Sequence, residues 1–355
     1  MKKHIAYLPG DGIGPEVALQ AKRAMEAIAI KFGHEFTFEE ALVGAVAIDA
    51  TGDPYPEKTH DVCKNADAVL FGAIGHPKYD NDPTAKVRPE EGLLRMRKKL
   101  GLYCNIRPVK AYEKLIDKAP LKNDRLIGAD MVTFRELTSG LYFGSPRGRS
   151  EDGTSAFETC TYTTEEITRM AVLAFKAAKN RRNKVTLVDK ANVLVTSRLW
   201  REVVTKFHKE NYPEVELDFL FVDNAAMQMV LCPTQFDVIL TENLFGDIIS
   251  DVSSVIAGSL GLLASASIGG AVGLYEPIHG SYPQAAGKNI ANPMAAILSA
   301  AMLLETSFGL VDEARAIENA IAGCMDKGFV TVDIDPVNNI GTKEVGDKIV
   351  EFILA

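Results

Sequence analysis

The chain has 355 residues, of which 47% are hydrophobic and 24% are charged, a composition typical of a soluble globular enzyme or binding protein with one large core or two domains. Its net charge of −8 excludes a general nucleic-acid or anionic-membrane partner, because no basic excess is available to neutralise phosphates. Five scattered cysteines without a C-x-x-C pair favour reduced thiols, and the N-terminus lacks a signal-peptide pattern, so we expect a cytoplasmic protein.

Strand-like and helix-like runs alternate along the chain. An apolar run at 4–8 predicts a buried strand, and 15–32 predicts a helix with Pro15 in its first turn and Gly33 near its end. The alternation predicts an α/β architecture with a substantially parallel sheet. Further strands are predicted at 68–74, 184–188, 217–222 and 237–241, and further helices at 167–178 and 197–207.

Polar pairs follow three of the predicted strands. They are Asp189-Lys190, Asp223-Asn224 and Glu242-Asn243. Because ligands of α/β sheets collect at the carboxyl ends of strands, these pairs are candidate site residues.

A glycine-rich turn joins the first strand to the first helix at residues 8–16. Its spacing is G-x-G-x-G and not the G-x-G-x-x-G of dinucleotide-binding proteins, and it lacks the Lys-Ser/Thr ending of a P-loop. The residues alone leave two interpretations open: a tight turn that only shapes the backbone, or one that also contacts a ligand.

The segment 243–251 places two carboxylates, Asp247 and Asp251, four residues apart on a predicted helix. Residues at this spacing share one helix face, where two like charges repel unless a cation lies between them. Hard oxygen ligands suit Mg²⁺ or Mn²⁺. A solvated helix face and a metal site are the two interpretations that remain.

The uncharged stretch 252–275 is long enough to suggest a membrane span. It is rich in glycine and serine, however, and follows directly on the two aspartates. We therefore expect a helix, a loop and a strand in a protein core, and no membrane partner.

Three arginines, Arg97, Arg107 and Arg135, lie within about 40 residues of one another in a chain of net negative charge. Arg107 and Arg135 stand in apolar, strand-like surroundings, where an unpaired guanidinium is costly. Arginine binds a carboxylate in a bidentate fork. Each arginine either pairs with a structural acid or helps to bind a small anionic substrate.

Together these motifs resemble the family of metal-dependent, NAD(P)-dependent decarboxylating β-hydroxyacid dehydrogenases, which includes isopropylmalate, isocitrate and tartrate/D-malate dehydrogenases. The resemblance runs nearly from end to end. The sequences that carry it are PGDGIGPE at 9–16, RELTSGLYFG at 135–144, DKANV at 189–193, FGDIISD at 245–251 and EPIHGS at 276–281.

The resemblance implies an isocitrate/isopropylmalate dehydrogenase-like two-domain α/β fold that is not a Rossmann fold. It implies a large cofactor-binding domain built from 1–102 and 258–355, and a central domain at 103–257 that carries the dimer interface and the metal site. It also implies a homodimer whose active sites are shared between the subunits, and no nucleic-acid partner.

The resemblance assigns roles to individual residues. Tyr142 and Lys190 match the acid–base pair, and Lys190 is expected to act across the dimer interface. A Mg²⁺ or Mn²⁺ ion is expected to stabilise the enolate formed after decarboxylation by polarising its oxygen. The substrate carboxylates are expected to bind Arg97, Arg107 and Arg135; the metal is expected to bind Asp247 and Asp251 of one subunit and Asp223, which also meets the substrate, of the other.

Substrate choice in this family depends on the segment 90–96. Leu93 and Leu94 stand where isocitrate enzymes have small polar side chains, and an apolar pair suits an isopropyl group. Burial of such a group is worth about 10–200-fold in discrimination. The resemblance therefore implies NAD-dependent oxidative decarboxylation of 3-isopropylmalate to 4-methyl-2-oxopentanoate and CO₂, in leucine biosynthesis; alternatively, both leucines are core residues of a helix.

The resemblance also implies a cofactor site in which the loop 279–292 binds the adenosine end of NAD. Gln284 stands where NAD-dependent members usually have an aspartate that repels the 2′-phosphate of NADP. Glutamine can accept a hydrogen bond from a ribose hydroxyl but repels no phosphate. The expected cofactor contacts are Ile13, Glu90, Glu276, His279, Gly280, Ser281, Pro283, Gln284 and Asn292.

Two other functions are compatible with parts of this pattern. Tartrate and D-malate enzymes also carry leucines near the substrate, so a dehydrogenase of that type is the nearest alternative. A non-catalytic regulatory subunit on the same fold is the second, and it predicts the loss of at least one metal or acid–base residue. All five of these residues are present: Tyr142, Lys190, Asp223, Asp247 and Asp251.

Overall fold

The structure is a computed structural model that describes residues 1–81 and 85–355. It divides into two compact units. Unit 1 consists of Met1–Leu102 and Ser259–Ala355, and unit 2 consists of Tyr103–Gly258. Both chain ends therefore belong to unit 1, and the central segment forms a unit of its own.

Strands and helices alternate along the chain, and each predicted element is confirmed in type, with ends that differ by a few residues. The strands are β1 (Lys2–Gly10), β2 (Glu35–Glu40), β3 (Ala68–Ala73), β4 (Cys104–Lys110), β5 (Asp130–Glu136), β6 (Gly148–Arg149), β7 (Ala156–Phe157), β8 (Lys184–Asp189), β9 (Glu216–Phe221), β10 (Val238–Thr241), β11 (Ala264–Ile268) and β12 (Gly273–Pro277). The helices are α1 (Gly14–Phe32), α2 (Ala45–Thr51), α3 (Glu57–Asn65), α4 (Pro77–Asp80), α5 (Pro89–Lys99), α6 (Asn123–Leu126), α7 (Thr164–Lys179), α8 (Val195–Asn211), α9 (Val222–Leu231), α10 (Asn243–Ser254), α11 (Met294–Phe308), α12 (Val311–Asp326) and α13 (Thr342–Leu354).

In unit 1 the strands follow the order β2-β1-β3-β12-β11. The pairs β1–β2, β1–β3 and β3–β12 are parallel, and β11–β12 is antiparallel. Helix α1 packs against α11 and α13, and α11 packs on β12, β11 and β3. The α1 helix ends where Gly33 adopts a left-handed conformation, as predicted. The buried apolar side chains of β1 and β3 lie at the centre of this unit.

In unit 2 the strands follow the order β4-β5-β10-β8-β9. All of these pairs are parallel except the antiparallel pair β4–β5, so the predicted parallel character is confirmed for most of the sheet. Helix α7 packs against β5, β8 and β10, and its first turn is fixed by a capping box between Thr163 and Glu166. Helix α10 packs against β5 and α9.

The uncharged stretch 252–275 contains the end of α10, two short 3₁₀ turns, β11 and the first part of β12. This agrees with the expected helix, loop and strand. Among the described residues, no helix has the length and apolar character needed to cross a membrane. All five cysteines are free thiols, as expected.

The glycine-rich turn lies against the loop that follows β12. Gly12 has φ +59°, and a Cβ atom at this position would lie 2.0 Å from the carbonyl oxygen of Ser281. The neighbouring N–H of Ile13 donates to that same oxygen at 2.8 Å. Glycine is therefore required both by the backbone conformation and by the close approach of the loop.

We expect Gly12→Ala to destabilise the protein more than Gly33→Ala. Gly33 also has a positive φ, +73°, but a Cβ atom there would meet open space. Gly33→Ala should therefore lose only the left-handed conformational cost of about 1–2 kcal/mol. Gly12→Ala adds steric overlap worth about 1–3 kcal/mol. Thermal unfolding of both variants measures the difference, and equal losses would contradict the role of the close approach.

Candidate active site

Arg135 is the most deeply buried of the three predicted arginines. It is the penultimate residue of β5, and its neighbour in the sheet is Thr241, the last residue of β10. The chain enters α10 two residues after Thr241, so the Arg135 guanidinium lies against the first turns of that helix. Nη1 donates to Asp247 Oδ1, and Nε and Nη2 donate to Asn243 Oδ1 at 3.2 and 3.0 Å. The carboxyl ends of two neighbouring strands thus bring an arginine to a predicted metal ligand.

Arg107 approaches the same helix one turn further on. Its Nη1 donates to Ser250 Oγ at 2.7 Å and to Asp251 Oδ1 at 3.1 Å, and its Nε donates to Asn105 Oδ1 at 2.8 Å. The Asp251 side chain is largely exposed, whereas Arg107 is largely buried. The pattern predicted that each arginine either pairs with an acid or binds a substrate, and here the paired acids are the two predicted metal ligands.

Tyr142 completes this cluster. It ends a 3₁₀ turn that follows β5, and its hydroxyl donates to Asp247 Oδ2 at 2.9 Å. Burial, followed by the hydrogen bond to Asp247, raises the pKa of the Tyr142 phenol. The phenol is therefore protonated at neutral pH, as a proton donor must be.

Lys190 and Asp223 form a second cluster in unit 2. Lys190 follows β8, its backbone N–H donates to Ser197 Oγ at 3.0 Å, and its Nζ lies 2.6 Å from Asp223 Oδ1. The hydrogen bond from Lys190 lowers the pKa of the Asp223 carboxyl. A cation and an anion next to each other can pass a proton to and from a bound hydroxyl.

Asp223 lies at the carboxyl end of its strand, as predicted, and already belongs to the helix that follows. The sequence placed it just beyond a strand at 217–222, but β9 ends at Phe221 and Asp223 lies in the first turn of α9. In the described ranges, no three His, Cys, Asp or Glu side chains gather closely enough to hold a metal ion. One chain therefore does not bring Asp223 together with Asp247 and Asp251.

In unit 1, Arg97 near the end of α5 pairs with Glu276 of β12, with Nη2 2.9 Å from Oε1. Both side chains are mostly buried. The two predicted leucines of α5 project differently, because consecutive helical residues do not face the same way. Leu93 packs against the core of unit 1, whereas Leu94 is 49% exposed. Leu94 is therefore the more accessible of the two at the surface of this unit.

The loop after β12 carries most of the predicted cofactor residues of unit 1. Ser281 is buried, and its carbonyl oxygen accepts a hydrogen bond from the Ile13 N–H of the glycine-rich turn. A Cβ atom on Gly75 would lie near both Ser281 Oγ and Glu90 Oε1. Ser281, Ile13 and Glu90 are therefore close together. Pro283 and Gln284 form a short 3₁₀ turn further along the loop, and Gln284 is exposed.

His279 and Asn292 differ in what they leave for a ligand. His279 Nδ1 lies 3.0 Å from the carbonyl oxygen of its neighbour Gly280, whereas its buried Nε2 has no hydrogen-bond partner among the described residues. Burial lowers the pKa of His279, so the ring is neutral at pH 7. Asn292, by contrast, donates to Asp333 and accepts from the Met294 N–H, each at 3.0 Å. An unused ring nitrogen fits a nucleotide ligand, and Asn292 already has structural partners.

The sequence did not predict the roles of two residues that organise the site, Asp11 and Glu242, although it named Glu242 as a candidate site residue. Asp11, inside the glycine-rich turn, is buried and accepts from the backbone N–H groups of Ala45, Val46 and Gly75 at 2.8, 3.0 and 2.9 Å. Glu242 caps α10 through the Phe245 N–H, and burial raises its pKa. Both residues stood within motifs that had been singled out, but only their contacts far along the chain reveal these roles.

Comparison with known proteins places the chain in a family. Residues 4–349 match the model of the family described as isocitrate/isopropylmalate dehydrogenase. The chain is 53% identical to a 3-isopropylmalate dehydrogenase of Aquifex aeolicus, with 99% of this chain and 97% of the relative covered. It is 49% identical to a 3-isopropylmalate dehydrogenase of Rhodopirellula baltica, with 99% of each chain covered.

Solved structures give the same result for the fold. An isocitrate dehydrogenase of Methylococcus capsulatus matches with a TM-score of 0.87 and 35% identity over 99% of this chain and 100% of that chain. A β-decarboxylating dehydrogenase of Thermococcus kodakarensis matches with a TM-score of 0.82 and 35% identity over 99% and 96%. The fold is thus that of the decarboxylating dehydrogenases and not a Rossmann fold. The chain belongs to the isocitrate/isopropylmalate dehydrogenase family.

We expect Glu276→Ala to destabilise the protein strongly, because it leaves the Arg97 guanidinium mostly buried without its carboxylate. Removal of one partner of a buried pair costs about 3–5 kcal/mol. Glu318→Ala is the matched control, since Glu318 pairs with Arg315 on the exposed face of α12. An exposed pair contributes about 0–1 kcal/mol. Thermal unfolding checks both, and a small loss for Glu276→Ala would contradict the importance of the pair.

Proposed function

We propose that the protein catalyses the NAD-dependent oxidative decarboxylation of 3-isopropylmalate to 4-methyl-2-oxopentanoate and CO₂, a step of leucine biosynthesis in the cytoplasm. The observation that carries the proposal is the cluster on α10, where Asp247 contacts both Arg135 and Tyr142, and Asp251 contacts Arg107. The 53% identity to a curated 3-isopropylmalate dehydrogenase supports the choice of substrate.

Arg97, Arg107 and Arg135 bind the two carboxylates of the malate skeleton. In unit 2, Arg107 and Arg135 are held in fixed positions by Asn105 and Asn243, so their forks are oriented before a substrate arrives. A pre-oriented guanidinium loses little side-chain entropy when it binds a carboxylate. Leu94, exposed on α5, contacts the isopropyl group.

The Lys190–Asp223 pair takes the proton of the C2 hydroxyl while the C2 hydride leaves. Lys190 in its uncharged amine form receives it directly, or through Asp223 or a water molecule, and the 2.6 Å hydrogen bond between the two side chains keeps that route short. The product of this step is a β-keto acid that loses CO₂. The protonated phenol of Tyr142 then returns a proton to the enol carbon.

The donor set on α10 fits a hard divalent cation, because both groups are carboxylates on one face of the helix and reach its surface. Asp247 and Asp251 would hold Mg²⁺ or Mn²⁺ together with Asp223 of the partner subunit. When bound, the ion supplies Lewis-acid polarisation of the substrate carbonyl. The loop 279–292, with the unused Nε2 of His279, would hold NAD, which supplies the hydride acceptor.

A homodimer is part of the proposal. The exposed side of α9 and α10 carries the apolar side chains Met227, Val230, Leu231 and Ile248. Exposed apolar side chains on two helices that pack together are typical of a protein–protein interface. A second copy on this surface would bury these side chains and bring Asp223 and Lys190 of the partner subunit to the first subunit's Asp247.

The direct test is the turnover of 3-isopropylmalate, D-malate and tartrate with NAD and Mg²⁺. We expect kcat/KM for isopropylmalate to exceed that for D-malate by about 10–200-fold. Leu94→Ser should reduce this preference, whereas Leu19→Ser, at a similarly exposed position of α1, should leave it unchanged. A chelator should abolish the activity and Mn²⁺ should restore it. Faster turnover of D-malate or tartrate would replace the proposed substrate.

The shared site predicts complementation between two inactive chains. In a mixture of Lys190→Ala and Asp247→Ala chains, hybrid dimers contain one site with all of its residues intact. We expect such mixtures to recover up to about half of the activity per hybrid dimer, since one of two sites is functional. Subunit exchange is verified with tagged chains, and exchange without recovered activity would show that each site belongs to one chain.

Cofactor choice depends on position 284. Gln284 is exposed and uncharged. We therefore expect the wild-type protein to prefer NAD over NADP less strongly than the Gln284→Asp variant does. The added carboxylate repels a 2′-phosphate and should raise the ratio of kcat/KM for NAD over NADP by roughly tenfold or more. Gln235→Asp, in unit 2, controls for the added charge. An unchanged ratio would place the selectivity elsewhere in the loop.

A further inference from the structure

We propose that Asn243, the first residue of α10, is a positioning residue that fixes both the substrate arginine Arg135 and the segment that carries Tyr142. This inference rests on the proposed function, because it concerns the same site. Asn243 is 1% exposed, so its effect on the reaction passes through these two neighbours.

The first neighbour is the Arg135 guanidinium. Asn243 Oδ1 accepts from both Nε and Nη2, at 3.2 and 3.0 Å, which occupies one edge of the planar group. Nη1, on the other side, is thereby directed to Asp247. A guanidinium held along one edge cannot rotate about its long axis. Asn243 therefore determines which edge of the Arg135 guanidinium is turned towards a substrate carboxylate.

The second neighbour is the backbone of Ser139. Asn243 Nδ2 donates to the Ser139 carbonyl oxygen at 3.2 Å, directly before the Gly140–Tyr142 turn. All of the side-chain polar atoms of Asn243 are therefore engaged, and they face two different elements. Since the Tyr142 hydroxyl must reach Asp247, a fixed turn limits the movement of the proton donor.

Gly246 makes room for this arrangement. A Cβ atom at position 246 would lie 2.5 Å from Arg135 Cγ and 2.8 Å from Arg135 Cβ. The arginine stem therefore crosses α10 in the space between Asn243 and Asp247. Helix geometry places 243, 246 and 247 on one face. A single helix turn therefore supplies the side chain that holds Arg135, the space for its stem and the carboxylate that pairs with it.

The position of Asn243 itself is fixed from behind. Its backbone N–H donates to Tyr162 Oη at 3.0 Å, and Tyr162 Oη donates to Glu242 Oε2 at 2.8 Å. Both Tyr162 and Glu242 are buried. A side chain on so rigid a support can orient its partners with little freedom of its own.

Two substitutions separate the two contacts. Asn243→Ala removes both, and we expect KM for the dicarboxylate substrate to rise roughly tenfold to a hundredfold, together with a fall in kcat. Asn243→Asp keeps an oxygen that accepts from Arg135. It replaces the Nδ2 donor with a carboxylate oxygen, which is repelled by the Ser139 carbonyl oxygen. It should leave KM within about threefold of wild type while kcat falls roughly tenfold. Asn211→Ala, on α8, is the control for loss of an asparagine bonded to its own helix.

A double-mutant cycle shows whether Asn243 acts through Arg135. In an Arg135→Lys background the fork is absent, so Asn243→Ala should change KM by less than about twofold. A residue that only stabilised the fold would give the same fold-change in both backgrounds. Equal effects in the two backgrounds, or a KM for Asn243→Ala within twofold of wild type, would overturn the proposal.

Failure of the proposed function is distinguishable from failure of this inference. If the wild-type protein turns over another hydroxy diacid instead of isopropylmalate, the same series is measured with that substrate. If it turns over none, crystal structures of wild type and Asn243→Ala decide. We expect the Arg135 guanidinium and the Ser139 carbonyl both to shift in the variant, and unchanged positions of both would overturn the proposal.

Discussion

A guanidinium withdrawn from water needs partners for its charge and its donors, and in unit 2 this constraint falls on Arg135. Its side chain is 7% exposed, so the energy of leaving it unpaired would be prohibitive. The first turns of α10 supply the oxygen atoms of Asn243 and Asp247 to it, and Gly246 leaves space for its stem. The geometry of the candidate active site therefore follows largely from how one buried arginine is accommodated.

Much of the fold follows from local patterns. The strand β1 and the helix α1 were predictable because apolar spacing and the positions of Pro15 and Gly33 are local signals. The shared face of Asp247 and Asp251 follows from helix geometry alone. Their pairing with arginines does not, because Arg135 and Asp247 are 112 residues apart in the chain and only the folded sheet brings them together.

The candidate site shows the same division between what is local and what is not. Leu93 and Leu94 were predicted as one apolar pair, yet their different burial depends on where the core of unit 1 lies, which the pattern of α5 does not specify. Asn243 is the first residue of the segment 243–251 that carries the two aspartates, but its role depends on partners from β5 and the following turn. Gln284 was found from the sequence, and the structure adds that it lies exposed on a loop whose backbone is fixed at Ser281.

The division of the chain also has a consequence for the order in which it folds during synthesis. Unit 2 is one uninterrupted segment, so all of its strands have left the ribosome once residue 258 has emerged. Unit 1 has to wait longer, because one edge of β3 is paired by β12, which ends at Pro277. Until then the N-terminal strands present an open sheet edge, which is the kind of surface that recruits other chains or chaperones. The open edge therefore persists until after the whole of the central unit has emerged.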